Sequence, residues 1–153
     1  MDIYEIFDEL NISYCEAEHP PVYTVSEAQA IKDVIEGTGS KNLFLTDGKQ
    51  YFLLVLDENK RANLKELAMR LNSARLSFAS EEELLKILGL QSGSVSPFGI
   101  INDTLKLVTV IIDQSLAHKK LLLHPNINTK TVSVMYDDLL RFIEYTAHAY
   151  IVV

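Results

Sequence analysis

Hydrophobic residues recur with two different periods along this chain, and these periods predict helices and strands that alternate in sequence. Helical spacing of apolar residues predicts amphipathic helices over residues 2–10, 26–37, 63–71, 80–89 and 136–146. Alternating or continuous apolar runs predict strands within residues 12–18, 41–56, 74–79, 105–113, 121–125, 130–135 and 149–153. Residues 90–103 are expected to be irregular, and residues 114–118 to form a short helical turn.

Short polar signals predict where several helices begin and end. The pattern S-x-x-E at residues 80–83 and the pattern S-x-x-Q at residues 26–29 both have the form of a capping box. Asn63 is a suitable N-cap for the helix that follows it. Gly37 and Gly39 are expected to end the helix that begins at residue 26.

The order of the predicted elements indicates the fold class. Asp47-Gly48 is a common turn pair, so residues 41–56 are predicted to form a tight hairpin of two antiparallel strands. A purely parallel sheet cannot contain such a hairpin. The prediction is therefore an α/β fold of mixed α+β type, in which helices surround a mixed sheet. Since 153 residues is the size of one ordinary domain, residues 1–153 are expected to form a single domain.

Composition and charge narrow the function classes. Apolar residues make up 48% of the chain, but the apolar runs are far shorter than the ~18 residues that a transmembrane helix needs. The acidic start of the chain does not resemble a signal peptide, so a cytoplasmic location without membrane association is expected. The net charge of −7 argues against broad nucleic-acid binding, although a local cluster around Lys41, Lys49, Lys60 and Arg61 could still bind phosphates.

Metal and thiol chemistry are not expected. The four histidines are scattered along the chain and form no H-x-x-x-H pair, so neither a metal nor another cofactor is predicted. The single cysteine, Cys15, excludes an internal disulfide. Because Cys15 lies in a predicted strand between acidic residues, a buried apolar side chain is the expected role.

Three places carry candidate chemistry. Lys41-Asn42 follows a glycine-containing turn. A lysine in this position is usually a solvated surface charge. The alternative is that it binds a phosphate or carboxylate, because the glycines let such a group approach the backbone closely. Residues 93–97, "GSVSP", form either an ordinary surface loop or a stiffened bend whose N–H groups bind an anion. His124 ends an apolar strand before a proline, and structural and functional roles are both open. Asn102-Asp103 is a possible turn pair that holds the loop by hydrogen bonds.

Together these segments resemble a known family. "HPPVYTVSEA", "KNLFLTD", "LSFASEEEL", "GSVSPFGIIND" and "LLLHPN" occur in this order in freestanding prolyl-tRNA editing proteins, which are relatives of the prolyl-tRNA synthetase insertion domain and the YbaK-type deacylases. The resemblance spans about residues 19 to 145. It implies a mixed sheet curled toward a barrel, and hydrolysis of the ester between an amino acid and the terminal ribose of tRNA.

The resemblance also implies roles for individual residues. Lys41, Asn42, Gly93 and His124 fall on the family's catalytic positions, with Lys41 pairing with a phosphate of the terminal nucleotide. The implied substrate-binding residues are Ser94, Val95, Ser96, Pro97, Val25, Ala28, Asn102 and Asp103. Among these, Val25 and Ala28 are expected to form a wall of a shallow amino-acid pocket.

The family branch most similar to this chain removes alanine from tRNA for proline. The same chemistry on Cys-tRNA or Ser-tRNA is one alternative, and a module that binds charged tRNA or a nucleotide without hydrolysis is another. The implied partner is the acceptor end of mischarged tRNA. Prolyl-tRNA synthetase and an elongation factor are the candidate protein partners.

Overall fold

The computed structural model describes residues 1–22 and 25–153. Within these ranges the helices are α1 (Ile3–Glu9), α2 (Val25–Lys32), α3 (Leu64–Leu71), α4 (Glu81–Leu88) and α5 (Tyr136–Tyr145), with short 3-10 helices at Pro97–Asn102 and Gln114–Leu116. The strands are β1 (Tyr14–Glu18), β2 (Thr38–Thr46), β3 (Tyr51–Asp57), β4 (Ser77–Phe78), β5 (Val108–Ile112), β6 (Lys120–Leu123), β7 (Lys130–Met135) and β8 (Tyr150–Val152). The longest of these helices has 10 residues, too few to cross a membrane, which takes ~20.

The eight strands form one mixed sheet in the order β1-β7-β6-β2-β3-β5-β8, with β4 paired to β2. The pairs β1/β7, β6/β7, β2/β3 and β2/β4 are antiparallel. The pairs β2/β6, β3/β5 and β5/β8 are parallel. The predicted mixed sheet with surrounding helices is confirmed, and the sheet is curled but open, because β1 and β8 lie at its two ends.

β2 is shared between two halves of this sheet. Its first residues pair with β6, through Thr38 and Gly39, and its last residues pair with β4, through Leu45 and Thr46. Along the same edge, residues 40–44 have no paired strand among the described residues, while their other edge pairs continuously with β3. The halves of the sheet therefore separate beside the middle of β2, and this separation leaves room for a pocket.

Two hydrophobic cores cover the two faces of the sheet. The larger core contains Phe44, Leu53 and Val55 from the sheet together with Phe7, Phe98 and other residues of α1, α4, α5 and the 3-10 helix. The smaller core lies under α3 and contains Leu45, Leu54 and Leu56. Since side chains alternate between the faces of a strand, this division assigns each residue of β2 to one face.

Local signals explain most of the element boundaries. Asp47 accepts hydrogen bonds from the N–H groups of Lys49 (2.9 Å) and Gln50 (2.7 Å), which closes the predicted hairpin turn. The capping box of α4 is present with both of its reciprocal bonds, between Ser80 and Glu83. The Asn63 cap of α3 is also confirmed.

Four predictions about local structure are wrong. The S-x-x-Q pattern does not cap α2 at Ser26, because the helix already begins at Val25 and Ser26 lies within it. α2 ends at Lys32 rather than near Gly37, and Gly39 belongs to β2, because the chain turns early to begin that strand. Residues 90–103 are not wholly irregular, since they contain the 3-10 helix Pro97–Asn102. Cys15 is exposed rather than buried, because β1 is an edge strand that pairs only with β7.

Candidate functional site

A small pocket lies where the two halves of the sheet separate. Its volume is about 100 Å³. Its polar lining comes from Lys32, Ser40, Asn42, Glu58, His124 and Thr131, and apolar residues of α2 and β6 complete the wall. The pocket therefore brings together Asn42 and His124, two residues that lie 82 positions apart in sequence and that the sequence marked as candidates.

Asn42 presents an unsatisfied polar atom at this pocket. Its side-chain oxygen is buried and has no hydrogen-bond partner among the described residues. The same is true of the side-chain oxygen of Asn126, whose Nδ2 donates to the Phe98 carbonyl (3.4 Å). Buried polar groups in folded proteins are nearly always paired, so the unpaired oxygen makes Asn42 a candidate for holding a water molecule or a ligand.

His124 is held as a neutral imidazole with one free nitrogen. Burial lowers its pKa below the ordinary value of 6.5, and the nearby His19 lowers it further, while the hydrogen bond to the Lys130 carbonyl opposes the shift. Nδ1 lies 3.0 Å from that carbonyl, so Nδ1 carries the proton and donates it. The unprotonated Nε2 is then left as an acceptor, since a neutral imidazole has one donor and one acceptor nitrogen.

Thr131 lines the pocket and His19 contacts it from outside the lining; the sequence had marked neither as a candidate. His19 Nε2 lies 2.8 Å from the Thr131 hydroxyl, and His19 Nδ1 lies 2.8 Å from the Pro20 carbonyl. The carbonyl can only accept, so Nδ1 donates to it, and Nε2 shares the second hydrogen bond with the Thr131 hydroxyl. The rings of His19 and His124 are 6.2 Å apart. The "HPP" segment and the polar alternation of "KTVSV" were the available sequence signals.

Neither hydroxyl in the pocket is activated by His124. Ser40 donates to the Leu122 carbonyl (2.9 Å), and Thr131 is engaged with His19. No cluster of metal-binding side chains occurs within residues 1–22 and 25–153. The neutral imidazole of His124 can accept a proton from a water molecule that attacks a bound ester.

Glu58 and Lys32 form an ion pair at the pocket, joining the end of α2 to the residue after β3. The Glu58 carboxylate occupies the space in which a Cβ at residue 39 would lie. Gly39 thus permits the close approach of this carboxylate to the β2 backbone. The Glu58 N–H also donates to the Gly39 carbonyl (3.1 Å).

Lys41 does not line the pocket. It is partly buried in β2 and pairs in register with Leu56, a residue of the smaller core. Strand alternation therefore places Lys41 on the α3 face of the sheet, whereas Asn42 lies on the opposite face with Phe44. Within the described residues its ammonium has neither a hydrogen bond nor an ion pair. It remains available for a ligand.

The loop from Gly93 to Pro97 lies beside the pocket region without lining it. Gly93 has φ of 91°, a conformation that favours glycine, and faces the Asn128 side chain across the turn that follows His124. Ser96 accepts a hydrogen bond from the Phe98 N–H (3.2 Å) and so caps the 3-10 helix. Ser94 donates its N–H to the Gln91 carbonyl (3.0 Å) and cannot offer it to a substrate.

The N–H groups of Gly93, Val95 and Ser96 have no partner among the described residues. They are the donors of this loop that could still bind an anion. Ser94 and Ser96 are buried, and Pro97 begins the 3-10 helix whose Phe98 is fully buried in the larger core. The core thus holds the loop rigidly against the turn that follows His124.

Asn102 and Asp103 hold the loop, as expected. Asn102 donates to the Leu88 carbonyl (2.8 Å), and the buried Asp103 accepts from the N–H of Val108 (2.9 Å) and lies 3.0 Å from His148 Nε2. The contact of either residue with a substrate stays a prediction. Val25 and Ala28 belong to α2, and their side chains lie outside the described part of the structure.

Comparison with known proteins identifies similar chains. Residues 19–142 match the family profile of the aminoacyl-tRNA editing domain. The chain is 40% identical over 146 residues to the prolyl-tRNA editing protein ProX of Acetoanaerobium sticklandii, with 94% of this chain and 89% of the relative covered. It is 36% identical over 151 residues to prolyl-tRNA synthetase associated domain-containing protein 1 of Danio rerio, with 96% of this chain and 82% of that protein covered.

Solved structures share the fold at lower sequence identity. A hypothetical protein of known crystal structure superposes with a TM-score of 0.75 at 19% identity, over 99% of this chain and 97% of that one. The crystal structure of a candidate trans-editing enzyme for prolyl-tRNA synthetase superposes with a TM-score of 0.71 at 19% identity, over 90% of this chain and 83% of that one.

Proposed function

Because the chain belongs to the aminoacyl-tRNA editing domain family and is therefore an aminoacyl-tRNA deacylase, we propose that it removes alanine from mischarged proline tRNA. The relative at 40% identity is named a prolyl-tRNA editing protein, which supports proline tRNA as the acceptor. The choice of alanine follows from the family resemblance. The acceptor end of the tRNA is the substrate in this proposal.

One observation carries the proposal: a pocket of about 100 Å³ holds both an unpartnered buried amide oxygen, from Asn42, and the free nitrogen of a neutral imidazole, from His124. A volume of this size suits a small acyl group. The Asn42 oxygen can accept a hydrogen bond from a water molecule or a ribose hydroxyl, and His124 Nε2 can take up its proton.

In the proposed reaction a water oxygen attacks the ester carbonyl carbon and transfers a proton to His124 Nε2, directly or through the neighbouring 2′-hydroxyl of the terminal ribose. The tetrahedral oxyanion is stabilised by free N–H groups of the Gly93–Pro97 loop. Each donor of this kind typically contributes ~10²–10³ in rate. The bond to the ribose oxygen then breaks, the proton passes to that oxygen, and alanine leaves. Lys41 pairs with a phosphate of the terminal nucleotide.

Specificity for alanine over proline requires steric exclusion. A methylene group in an apolar pocket is worth only ~1–3 kcal/mol, which is too little to protect correctly charged prolyl-tRNA. The narrow pocket supports exclusion, because a larger ring would have to displace wall atoms in a well-packed region. We assign Val25 and Ala28 of α2 to this wall, as the sequence suggests.

A deacylation assay with purified protein tests the function. We expect release of alanine from Ala-tRNA for proline, with Pro-tRNA left intact, and slower release from Cys-tRNA and Ser-tRNA. Faster release of cysteine or serine would assign the same chemistry to another substrate. Binding of Ala-tRNA without ester loss would contradict the enzymatic proposal and favour a binding module. Pull-down of prolyl-tRNA synthetase and of elongation factor from purified components tests the two candidate protein partners.

A further inference from the structure

We propose that the Glu58 carboxylate binds the α-ammonium group of the amino acid that is removed. This inference rests on the proposed function, since every aminoacyl ester carries a free α-ammonium. Glu58 supplies the one carboxylate of the pocket lining within the described residues. No role for this residue followed from the sequence.

The position of Glu58 places its carboxylate against the reacting region. It follows β3 directly, and its N–H is bonded to the Gly39 carbonyl, which fixes the residue beside β2. Ser40 and Asn42 lie one and three residues further along β2 in the same pocket lining. An amino acid whose ester carbonyl reaches Asn42 would therefore direct its α-substituents toward the Glu58 end.

Gly39 is part of the same arrangement. A Cβ at residue 39 would meet the Glu58 carboxylate in its present position, so the glycine leaves room for the carboxylate to lie against the β2 backbone. The φ angle of Gly39 is not among the positive values, so conformational freedom does not require a glycine here.

The ion pair with Lys32 is compatible with a second cation. The Glu58 side chain is 28% exposed and the Lys32 side chain 29% exposed, so both groups are partly desolvated and neither is sealed in the core. A carboxylate has two oxygens and about four acceptor sites, so it can hold an ammonium from the protein and one from the substrate together. The substrate ammonium thus completes the coordination of a carboxylate that Lys32 already orients.

Lactyl-tRNA for proline provides a matched probe, because a hydroxyl replaces the α-ammonium and the acyl group keeps its size. The deacylation rates of Ala-tRNA and lactyl-tRNA are measured for wild type and for Glu58→Gln, and the ratio of the two rates is compared between the proteins. We expect Glu58→Gln to lose about ten- to a hundredfold on Ala-tRNA, the range for a hydrogen bond to a charged group, and little on lactyl-tRNA.

Two further variants separate binding from support of the fold. Lys32→Met breaks the ion pair but keeps the carboxylate, and should retain the wild-type preference for Ala-tRNA. Glu82→Gln, on exposed α4, is the matched control and should change neither rate. If Glu58→Gln and Lys32→Met each lost deacylation rate equally on both substrates, the proposal would be overturned and the role of Glu58 would be structural. Failure of wild type to release alanine at all would instead refute the proposed function.

Discussion

At the scale of single residues, neighbouring positions in β2 have different environments. Asn42 lines the pocket and Lys41 lies on the opposite face of the sheet, and within the described ranges neither the Asn42 side-chain oxygen nor the Lys41 ammonium has a partner. In our proposal these two adjacent polar residues therefore contact different parts of one substrate. Asn42 acts at the ester and its ribose, and Lys41 acts at a phosphate outside the pocket.

Replacing Lys41 with alanine should lower kcat/KM for Ala-tRNA by about a hundredfold, the effect of one lost charge-stabilising contact in a site. Folding should be nearly unchanged, because the ammonium has no described protein partner. Single-turnover deacylation and thermal unfolding measure the two quantities. Lys49→Ala in the hairpin turn is the control. A Lys41→Ala enzyme with normal turnover would refute the role of this residue.

The lowered pKa of His124 predicts a dependence of activity on pH. Above pH 6.5 the imidazole is neutral in both folded and unfolded chains, and Nε2 can accept a proton. As the pH falls through the lowered folded pKa, the ring becomes charged and deacylation should decline. His124→Gln should remove this step and lower the rate by ~10²–10⁴. The pH–rate profiles of the two proteins measure this decline. If the variant showed the same decline at low pH, the assignment of the titrating group to His124 would be contradicted.

The free energy of unfolding should also depend on pH through His124, and the lowered pKa fixes the direction of the change. A folded pKa below the unfolded value means that the unfolded chain binds a proton first, so the contribution of neutral His124 is complete above pH 6.5 and is lost as the pH falls toward the folded pKa. Urea unfolding of wild type between about pH 7.5 and about pH 5.5, roughly one unit either side of the ordinary histidine pKa, should show this loss relative to His124→Gln.

At the scale of elements, local signals fixed some boundaries and tertiary contacts fixed others. α4 begins at its capping box and ends at Gly89 in a left-handed conformation, as its sequence predicts. α2 stops at Lys32 although its sequence continues a helical pattern to residue 36. The reason is that residues 38–39 must pair with β6, and the chain needs the intervening residues to turn.

Replacing Ser80 with alanine should lower the free energy of unfolding by ~1 kcal/mol, the usual value of an N-cap. The bond from the Glu83 N–H to the Ser80 hydroxyl is lost, whereas the backbone N–H of residue 80 can still donate to the Glu83 carboxylate. The pocket is untouched because α4 does not line it. Chemical denaturation measures the change, and the deacylation rate should stay at the wild-type value. Ser92→Ala, at an exposed position outside the helices, is a suitable control. A loss of activity in Ser80→Ala would contradict this expectation and show that the start of α4 is coupled to the pocket.

At the scale of the whole molecule, positive charge is concentrated in one segment of an acidic protein. Residues 60–75 contain five of the 14 basic residues and one acidic residue, Glu66, in a chain of net charge −7. Lys60 is paired with Asp113 (2.9 Å), and Arg61 and Arg70 line one cavity without a described ion pair. α3 packs on the face of the sheet that carries Lys41, so these charges share a side of the molecule.

The double substitution Arg61→Glu and Arg70→Glu should weaken tRNA binding and reduce its salt dependence, because each phosphate contact contributes ~0.7–0.9 to the slope of log K against log salt. Titration of binding at several salt concentrations measures both effects. Lys86→Glu, at an exposed position of α4, changes the net charge by half as much in the same direction and serves as the control. Weakening by the control in proportion to its charge change would mean that net charge alone, and no particular face, governs binding.

The sequence by itself determined most of the elements and the mixed character of the sheet, because these depend on local periodicity and turn chemistry. The candidate positions Asn42 and His124 came from the resemblance to the editing family. Only the tertiary structure decided which candidates meet. The separation of the sheet beside β2 brings Asn42, His124 and Glu58 into one pocket and leaves Lys41 on the other face. This depends on strand pairing between distant segments, which no local pattern encodes. His19, Thr131 and Glu58 were missed for the same reason, since only the folded chain places them beside the pocket.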